Sequence, residues 1–412
     1  MMNYSEVLTF LYQQLPVFHR EGKKAFKPGL THIEYLCEYF GHPERQLKCL
    51  HIAGTNGKGS SSHLMSSILQ EHGYRVGLYT SPHLKNFTER FKVNGVEIPE
   101  QWITDFVNEH QAFIKSYSAS FFEWTVIMAF LFFAQQKVDY AVIETGLGGR
   151  LDSTNIIKPI GCLITNISFD HQDLLGNTLE EIATEKAGII KKNVPITISE
   201  YHPQTAPIFE QKAKLEHAPI IFASKIEPPK GLQIKSPFLG NYQTKNIQGV
   251  IAWAVQLNSL GIISFDWKKL EKGIEHTLKN TGFKGRFQVI HTDLPQIIVD
   301  TAHNEAGISS VVAQIEQLDP KELTIILGMV GDKDVKKVLS ILPKNAHYIF
   351  TEITNPRKLP KEELRKMAIE SGLDGILSSD VNQAITHVKE YRKDHLVFIL
   401  GSTYLVAEIN EL

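Results

Sequence analysis

The chain has 412 residues, too many for one ordinary hydrophobic core, so two or three domains are expected. With 42% apolar and 21% charged residues and a formal charge of -2, the composition is that of a soluble globular protein without the basic field that a nucleic-acid partner requires. Three scattered cysteines, Cys37, Cys49 and Cys162, argue against a disulfide framework or thiolate metal site and fit a reducing cytoplasm, while the apolar run from Thr125 to Ala134 is too short to cross a bilayer and the first residues lack signal-peptide character.

Helical spacing of Val7, Leu8, Leu11 and Leu15 predicts a helix over 5–15 that Pro16 stops. Ile33, Leu36, Cys37 and Phe40 predict a second, ended at Gly41-His42-Pro43, and the polar stretch from Phe18 to Leu30 reads equally as an ordered loop or as a solvated connector. Leu50-His51-Ile52-Ala53-Gly54-Thr55-Asn56-Gly57-Lys58-Gly59-Ser60 then runs as strand, glycine loop and helix. Backbone N–H groups of such a loop turn inward around an anion and the helix adds its positive end, so the stretch suits phosphate. Lys58 would supply a point charge for the outer phosphates and Ser60 a hydroxyl for magnesium. The general phosphate-loop pattern has Gly at the place of Ile52 and Ser or Thr directly after the lysine; here Gly59 intervenes.

Leu64, Met65, Ile68 and Leu69 are expected on one face of the following helix, closed by Gly73, and a strand from Arg75 to Thr80 completes a βαβ unit. Ser81-Pro82-His83 stands at its end, where active-site loops of open α/β sheets gather. Asn94-Gly95 is expected to turn a hairpin over Glu89 to Val96. An apolar helix over 124–134 precedes a buried strand from Asp139 to Glu144, and a carboxylate at such a tip either caps a following helix or holds magnesium directly or through water. The glycines between Thr145 and Asp152 let backbone approach a ligand closely.

Ile160 to Asn166 is the next expected strand, with Asp170-His171 beyond it; His171, one of 17 histidines, is as open to a structural role as to a metal or water contact. Thr178 to Glu181 has capping-box spacing and starts a helix through Lys186, which precedes the apolar Ala187-Gly188-Ile189-Ile190. That lysine either packs its stem and keeps its head in water, or is functional with an altered charge state. Strands at 195–198 and 219–223 and a helix from Asn241 to Leu257 follow. The pattern breaks between Lys279 and Arg286, where a domain boundary is expected, and then restarts with strands at 287–291, 296–299, 323–327, 348–351 and 396–400.

The loop from Gly54 to Ser60, with Gly59 separating lysine from serine, resembles the folylpolyglutamate synthase and dihydrofolate synthase branch of the Mur ligase superfamily. Further matching blocks run along nearly the whole chain: Tyr79 to Leu84, Val142 to Asp152, Leu179 to Ala183 with Glu185 to Ile190, Gly285-Arg286, Asp300 to Asn304, and Gly401 to Leu405. The resemblance implies an α/β fold with an N-terminal Mur-ligase-type P-loop ATPase domain over 1–283, holding the pterin or folate site. A smaller C-terminal Rossmann-like α/β domain over 284–412 would contribute ATP and glutamate contacts. The active site would lie in the cleft between them, closing to exclude water.

It further implies an ATP-dependent amide ligase that joins L-glutamate to dihydropteroate, to the γ-carboxyl of tetrahydrofolate polyglutamates, or to both, through an acyl phosphate. By position, Gly54, Thr55, Asn56, Gly57, Lys58, Gly59 and Ser60 would wrap the ATP phosphates, with Asn246, Arg286 and Asp300 as further ATP contacts. Ser60, Ser81, Glu144 and His171 would serve magnesium, and Lys186 matches a lysine that is carbamylated in the family and can engage a second ion. Its apolar neighbourhood would favour the neutral amine that carbamylation needs. His303 and Ser402 match positions near the incoming glutamate, and Gly29, Leu30, Phe122, Asp152 and Ser153 the pterin side. Lys58, Glu144, His171, Lys186 and His303 form the implied catalytic set. Departures occur at Tyr242-Gln243, often His-Gln, at Ser153, often Ala, and at Thr301, often Gly. The implied partners are small molecules only, ATP and magnesium among them, with neither nucleic acid nor membrane, on a chain whose family is usually monomeric. Two rivals remain open: a peptidoglycan-type Mur ligase acting on a UDP-sugar acceptor, and a nucleotide-dependent switch that shares only the phosphate loop.

Overall fold

The computed structural model describes residues 1–16, 29–331 and 334–412, so the polar stretch over 18–30 lies outside the described residues except for Gly29 and Leu30. Two units are found: Met1–Pro237 with Thr244–Phe283, and Phe238–Gln243 with Lys284–Leu412.

The first unit is built on an eight-stranded sheet. In chain order its strands are β1 Cys49–Ala53, β2 Val76–Tyr79, β3 Phe91–Val93, β4 Val96–Glu97, β5 Tyr140–Glu144, β6 Gly161–Ile164, β7 Ile196–Ile198 and β8 Ile220–Phe222. The spatial order is β4-β3-β2-β5-β1-β6-β7-β8. All neighbours are parallel except the β2–β3 and β3–β4 pairs at one edge. Every residue of β1, β2, β5 and β6 is buried, as strands covered on both faces by crossover helices must be. Since β1 lies between β5 and β6, the chain reverses its direction of growth at β1, and the loops after β2, β5, β1 and β6 emerge side by side.

The edge hairpin turns at Asn94 and Gly95 with φ of 47° and 77°, the mirror-image turn that the Asn-Gly pair predicts. Its first strand begins only at Phe91, because Glu89 and Arg90 belong to a 3-10 turn over Phe87–Arg90. The helix Lys58–Glu71 corrects the one-face expectation: all of Ser60 to Leu69 is buried. One cause is that Gly273 of the helix Trp267–Glu275 packs so closely on Ile68 that a Cβ there would stand 2.4 Å from the Ile68 Cα. The apolar helix is longer than expected, Phe121–Gln135, because Ser120 caps it and Glu123 returns the bond. The helix expected over 241–257 runs Gln243–Ser259.

The second unit holds a six-stranded sheet of β9 Gln288–His291, β10 Gln296–Val299, β11 Leu323–Leu327, β12 His347–Phe350, β13 Gly375–Leu377 and β14 Leu396–Leu400. Its order is β13-β12-β11-β14-β10-β9, parallel except for β9 at the edge. The short, largely exposed β13 carries no alternation that sequence reading could detect. Among the described residues no helix is long and apolar enough to cross a membrane.

Candidate active site

Four adjacent strand ends of the first unit supply the site. After β1 the chain enters the glycine loop, and Gly54 (φ 154°) leaves no space for a side chain: a Cβ would lie 1.8 Å from Thr165 Oγ1. At Gly57 (φ 83°) a Cβ would lie 2.2 Å from Asn246 Oδ1, so the structure places Asn246 directly against the loop. Three residues that sequence reasoning missed brace this loop. Thr165 Oγ1 donates to the Asn56 carbonyl at 2.6 Å, Asn166 Oδ1 accepts from the Asn56 N–H at 2.8 Å, and the Ser168 carbonyl accepts from Thr55 Oγ1 at 3.1 Å. This is why β6 ends at Ile164 rather than at the expected Asn166: the polar run after it leaves the sheet to hold the loop. The signal available in the sequence was that run itself, Thr165-Asn166-Ile167-Ser168, at the tip of a buried strand.

Two lysines converge on one carbonyl. Lys58 Nζ donates to Gly54 O at 3.1 Å and to Thr55 O at 3.1 Å, and Lys186 Nζ donates to the same Gly54 O at 2.9 Å. Lys186 is 2% exposed, and burial, reinforced by the charge of Lys58, brings its pKa down to about 7. The direction favours the neutral amine, the form that carbamylation needs. Gly149 and Gly188 allow the approach: a Cβ at Gly149 would stand 2.8 Å from the Lys186 carbonyl and one at Gly188 2.2 Å from the Arg150 Cα.

Glu144, at the tip of β5, is buried and accepts the Ser81 N–H at 3.1 Å, which brings these two metal candidates together. A Cβ at Gly59 would be 3.8 Å from Glu144 Oε2, so the carboxylate also borders the phosphate loop. His171 has φ 50° and precedes the short helix Gln172–Leu175; its N–H donates to Asp170 Oδ1 at 2.9 Å.

Phe122 lies over Gly146, where a Cβ would meet its ring at 2.5 Å. Asp152 Oδ2 accepts from Leu147 N at 2.8 Å and Asp152 Oδ1 accepts from Thr154 Oγ1 at 2.6 Å, so Asp152 is bonded into the glycine-rich loop on which Phe122 packs, and Ser153 opens the 3-10 turn that follows it. Leu30 and Phe122 pack on the same hydrophobic core. Burial raises the Asp152 pKa against the pull of these bonds. Arg90, whose carbonyl accepts from Thr80 N at 3.2 Å, is 2% exposed, donates through Nε to His83 Nδ1 at 2.8 Å and lies 5.6 Å over the Phe121 ring; the sequence marks it only as part of an expected hairpin.

In the second unit, Asp300 and His303 follow β10, and Ser402 follows the adjacent β14. Asp300 is held by three hydrogen bonds: Oδ2 accepts from the Tyr242 hydroxyl at 2.5 Å and from Phe287 N at 2.8 Å, and Oδ1 from Ala302 N at 2.8 Å. The departure at Tyr242 is thereby explained as a partner for Asp300, whose pKa burial raises although Arg286 and the bonds oppose it. His303 Nδ1 pairs with the Thr301 carbonyl at 3.0 Å, and Ser402 Oγ caps the helix Thr403–Ala407.

The first unit therefore offers a backbone cradle closed to side chains, two lysine nitrogens at its base, and hard oxygen donors at Ser60, Ser81 and Glu144 beside it, which fits a nucleoside triphosphate with a hard divalent cation. The model of the Mur ligase middle domain matches residues 52–227, and that of the Mur ligase glutamate ligase domain matches 285–403. The chain is 32% identical to a dihydrofolate synthase/folylpolyglutamate synthase of Bacillus subtilis, over 95% of this chain and 96% of that one. Among solved structures it is similar to E. coli FolC in complex with DHPP and ADP, with TM-score 0.83, 27% identity and coverage of 98% and 96% of the two chains. It is similar too to a bifunctional folylpolyglutamate synthase/dihydrofolate synthase with Mn, AMPPNP and L-glutamate bound, with TM-score 0.84, 25% identity and coverage of 99% and 97%.

Proposed function

This chain belongs to the folylpolyglutamate synthase/dihydrofolate synthase branch of the Mur ligase superfamily, an ATP- and divalent-metal-dependent ligase of glutamate to folate, and from that premise we propose that it serves both carboxyl acceptors, dihydropteroate and reduced folate glutamates. The observation that carries the reading is the end-to-end match to a protein named for both activities, over a chain whose glycine loop has Gly59 between lysine and serine.

In this proposal an acceptor carboxylate oxygen attacks the γ-phosphorus, ADP leaves, the glutamate nitrogen then attacks the acyl carbon, and phosphate departs with the amine losing its proton. The loop from Gly54 to Ser60 binds the phosphates, Lys58 offsets charge at the transferring group, and Asn246, Arg286 and Asp300 complete ATP binding. A divalent ion held by Ser60, Ser81, Glu144 and His171 would supply further charge neutralisation. As a carbamate, Lys186 would hold a second ion; its burial and its lowered pKa support an amine neutral enough to be carbamylated. Gly29, Leu30, Phe122, Asp152 and Ser153 form the pterin side, and His303 and Ser402 the glutamate side. We place the protein in the cytoplasm as a monomer with small-molecule partners only; its three buried, unpaired cysteines support a reducing compartment.

ADP release by the purified chain tests the reading. Strong stimulation is expected from dihydropteroate with glutamate and, separately, from tetrahydrofolate with glutamate. Stimulation by one acceptor alone removes the bifunctional reading, and stimulation only by a UDP-muramoyl acceptor removes the folate reading.

A further inference from the structure

Three side chains with metal-ligating chemistry meet at the amino ends of β12, β11 and β14, the edge opposite the strand ends that carry Asp300, His303 and Ser402. Glu322 immediately precedes β11, His347 opens β12, and His395 immediately precedes β14. The register makes them neighbours: Thr324 pairs with His347, Leu323 pairs with Leu396, and Leu396 N donates to the Glu322 carbonyl at 2.9 Å.

We infer that Glu322, His347 and His395 form a binding site for a transition-metal ion of the Zn²⁺ class, separate from the magnesium of the ligase reaction. One ligand atom from each lies within 4.8 Å of the other two. Glu322 Oε2 is 3.7 Å from His347 Nε2 and 3.9 Å from His395 Nε2, with the imidazole centroids 5.2 Å apart. Zinc–nitrogen and zinc–oxygen bonds of about 2.0–2.2 Å put tetrahedral ligands roughly 3.3–3.6 Å apart, so the two pairs that involve Glu322 need a contraction of only a few tenths of an ångström, and a rotation of the exposed His347 ring closes the third. The remaining positions around the ion are open to water from the solvent side.

The second observation is the support behind one ligand. His395 is 4% exposed, and its Nδ1 pairs with the hydroxyl of the buried Thr324 at 2.8 Å. With the proton on Nδ1 donated to that hydroxyl, Nε2 presents its lone pair toward Glu322. This is the orientation that metal-bound histidines receive from their outer partners. Two imidazoles and a carboxylate select Zn²⁺, Co²⁺ or Ni²⁺ over Mg²⁺, which prefers oxygen and water. Glu322 and His347 are about half exposed, giving the ion a path from solvent.

The test is titration of the untagged full chain, without nucleotide, with Co²⁺ followed by its visible absorption and with Zn²⁺ in competition. With excess Mg²⁺ present to occupy the hard-oxygen site of the ligase reaction, one saturable Co²⁺ site is expected in the wild type, weakened at least about tenfold in His347→Ala and in Glu322→Gln. It should be unchanged in His387→Ala, a nearby histidine outside the cluster, and in His171→Ala. Both exposed substitutions leave the buried His395 in place, so loss of uptake with an unchanged circular dichroism spectrum reports the site rather than the fold. Equal affinity in His347→Ala, Glu322→Gln and wild type overturns the inference, as does uptake that disappears in His171→Ala.

Discussion

Lowering the pH should unfasten the first unit at His51, a residue of β1 directly beneath the glycine loop. The ring is fully buried, with Nε2 2.8 Å from Thr154 Oγ1. Thr154 has given its one hydroxyl proton to Asp152, so Nε2–H must be the donor to it. Nδ1 is then the unprotonated nitrogen, and it is buried without a hydrogen-bond partner. Protonation would place an N–H there with no acceptor, and burial together with the charge of Lys191 accordingly moves the His51 pKa from 6.5 to about 3. Because the unfolded chain takes up this proton near 6.5 and the folded chain only near 3, the unfolded state binds more protons between those values. Stability is therefore fully present above pH 6.5 and falls by about 1.4 kcal/mol per pH unit below it, which amounts to about 2 kcal/mol at pH 5. The raised pKa values of Asp152 and Asp300 act in the opposite sense, so the comparison that isolates His51 is with His51→Gln, which keeps an N–H donor and cannot titrate. Urea unfolding followed through the buried Trp124 and Trp253 at pH 7.5, 6 and 5 should show the wild type losing stability relative to the variant by that amount. Parallel pH profiles of the two proteins would refute the donor accounting.

Other substitutions probe the site. Lys58→Ala should lower ligation by about 10²-fold or more, because charge on the transferring phosphoryl group loses its partner, and wild-type turnover would remove Lys58 from that role. Lys186→Ala is expected to abolish activity with partial rescue by added short carboxylates; undiminished turnover would return Lys186 to a merely packed lysine. Gly54→Ala drives a Cβ into Thr165 Oγ1 and breaks its bond to Asn56, at a strain of roughly 1–3 kcal/mol, so ATP affinity should fall roughly tenfold or more by calorimetry. An unchanged ATP affinity would show that the loop tolerates a side chain at that position.

Reading the sequence alone located the phosphate loop, the helix after it, the Asn-Gly hairpin and most strands, because each rests on residues within a few positions of one another. Glycines with positive φ, capping pairs and runs of buried β-branched residues act locally, and their meaning survives without knowledge of the fold. The resemblance then attached roles to Lys58, Glu144, His171 and Lys186. No local pattern could show that Lys186 reaches back to the carbonyl of Gly54, that Thr165 and Asn166 hold Asn56, or that His51 is wired through Thr154 to Asp152. Those pairings are set by the parallel register of β5, β1 and β6, which brings distant strand ends to one edge. The same applies to Tyr242 and Asp300, whose bond puts 238–243 with the second unit, and to Glu322, His347 and His395, which are scattered in the chain and joined only by the order of β12, β11 and β14. Local physics determined the elements and the loop; strand order and register decided which side chains share a carbonyl, a proton or a place for an ion.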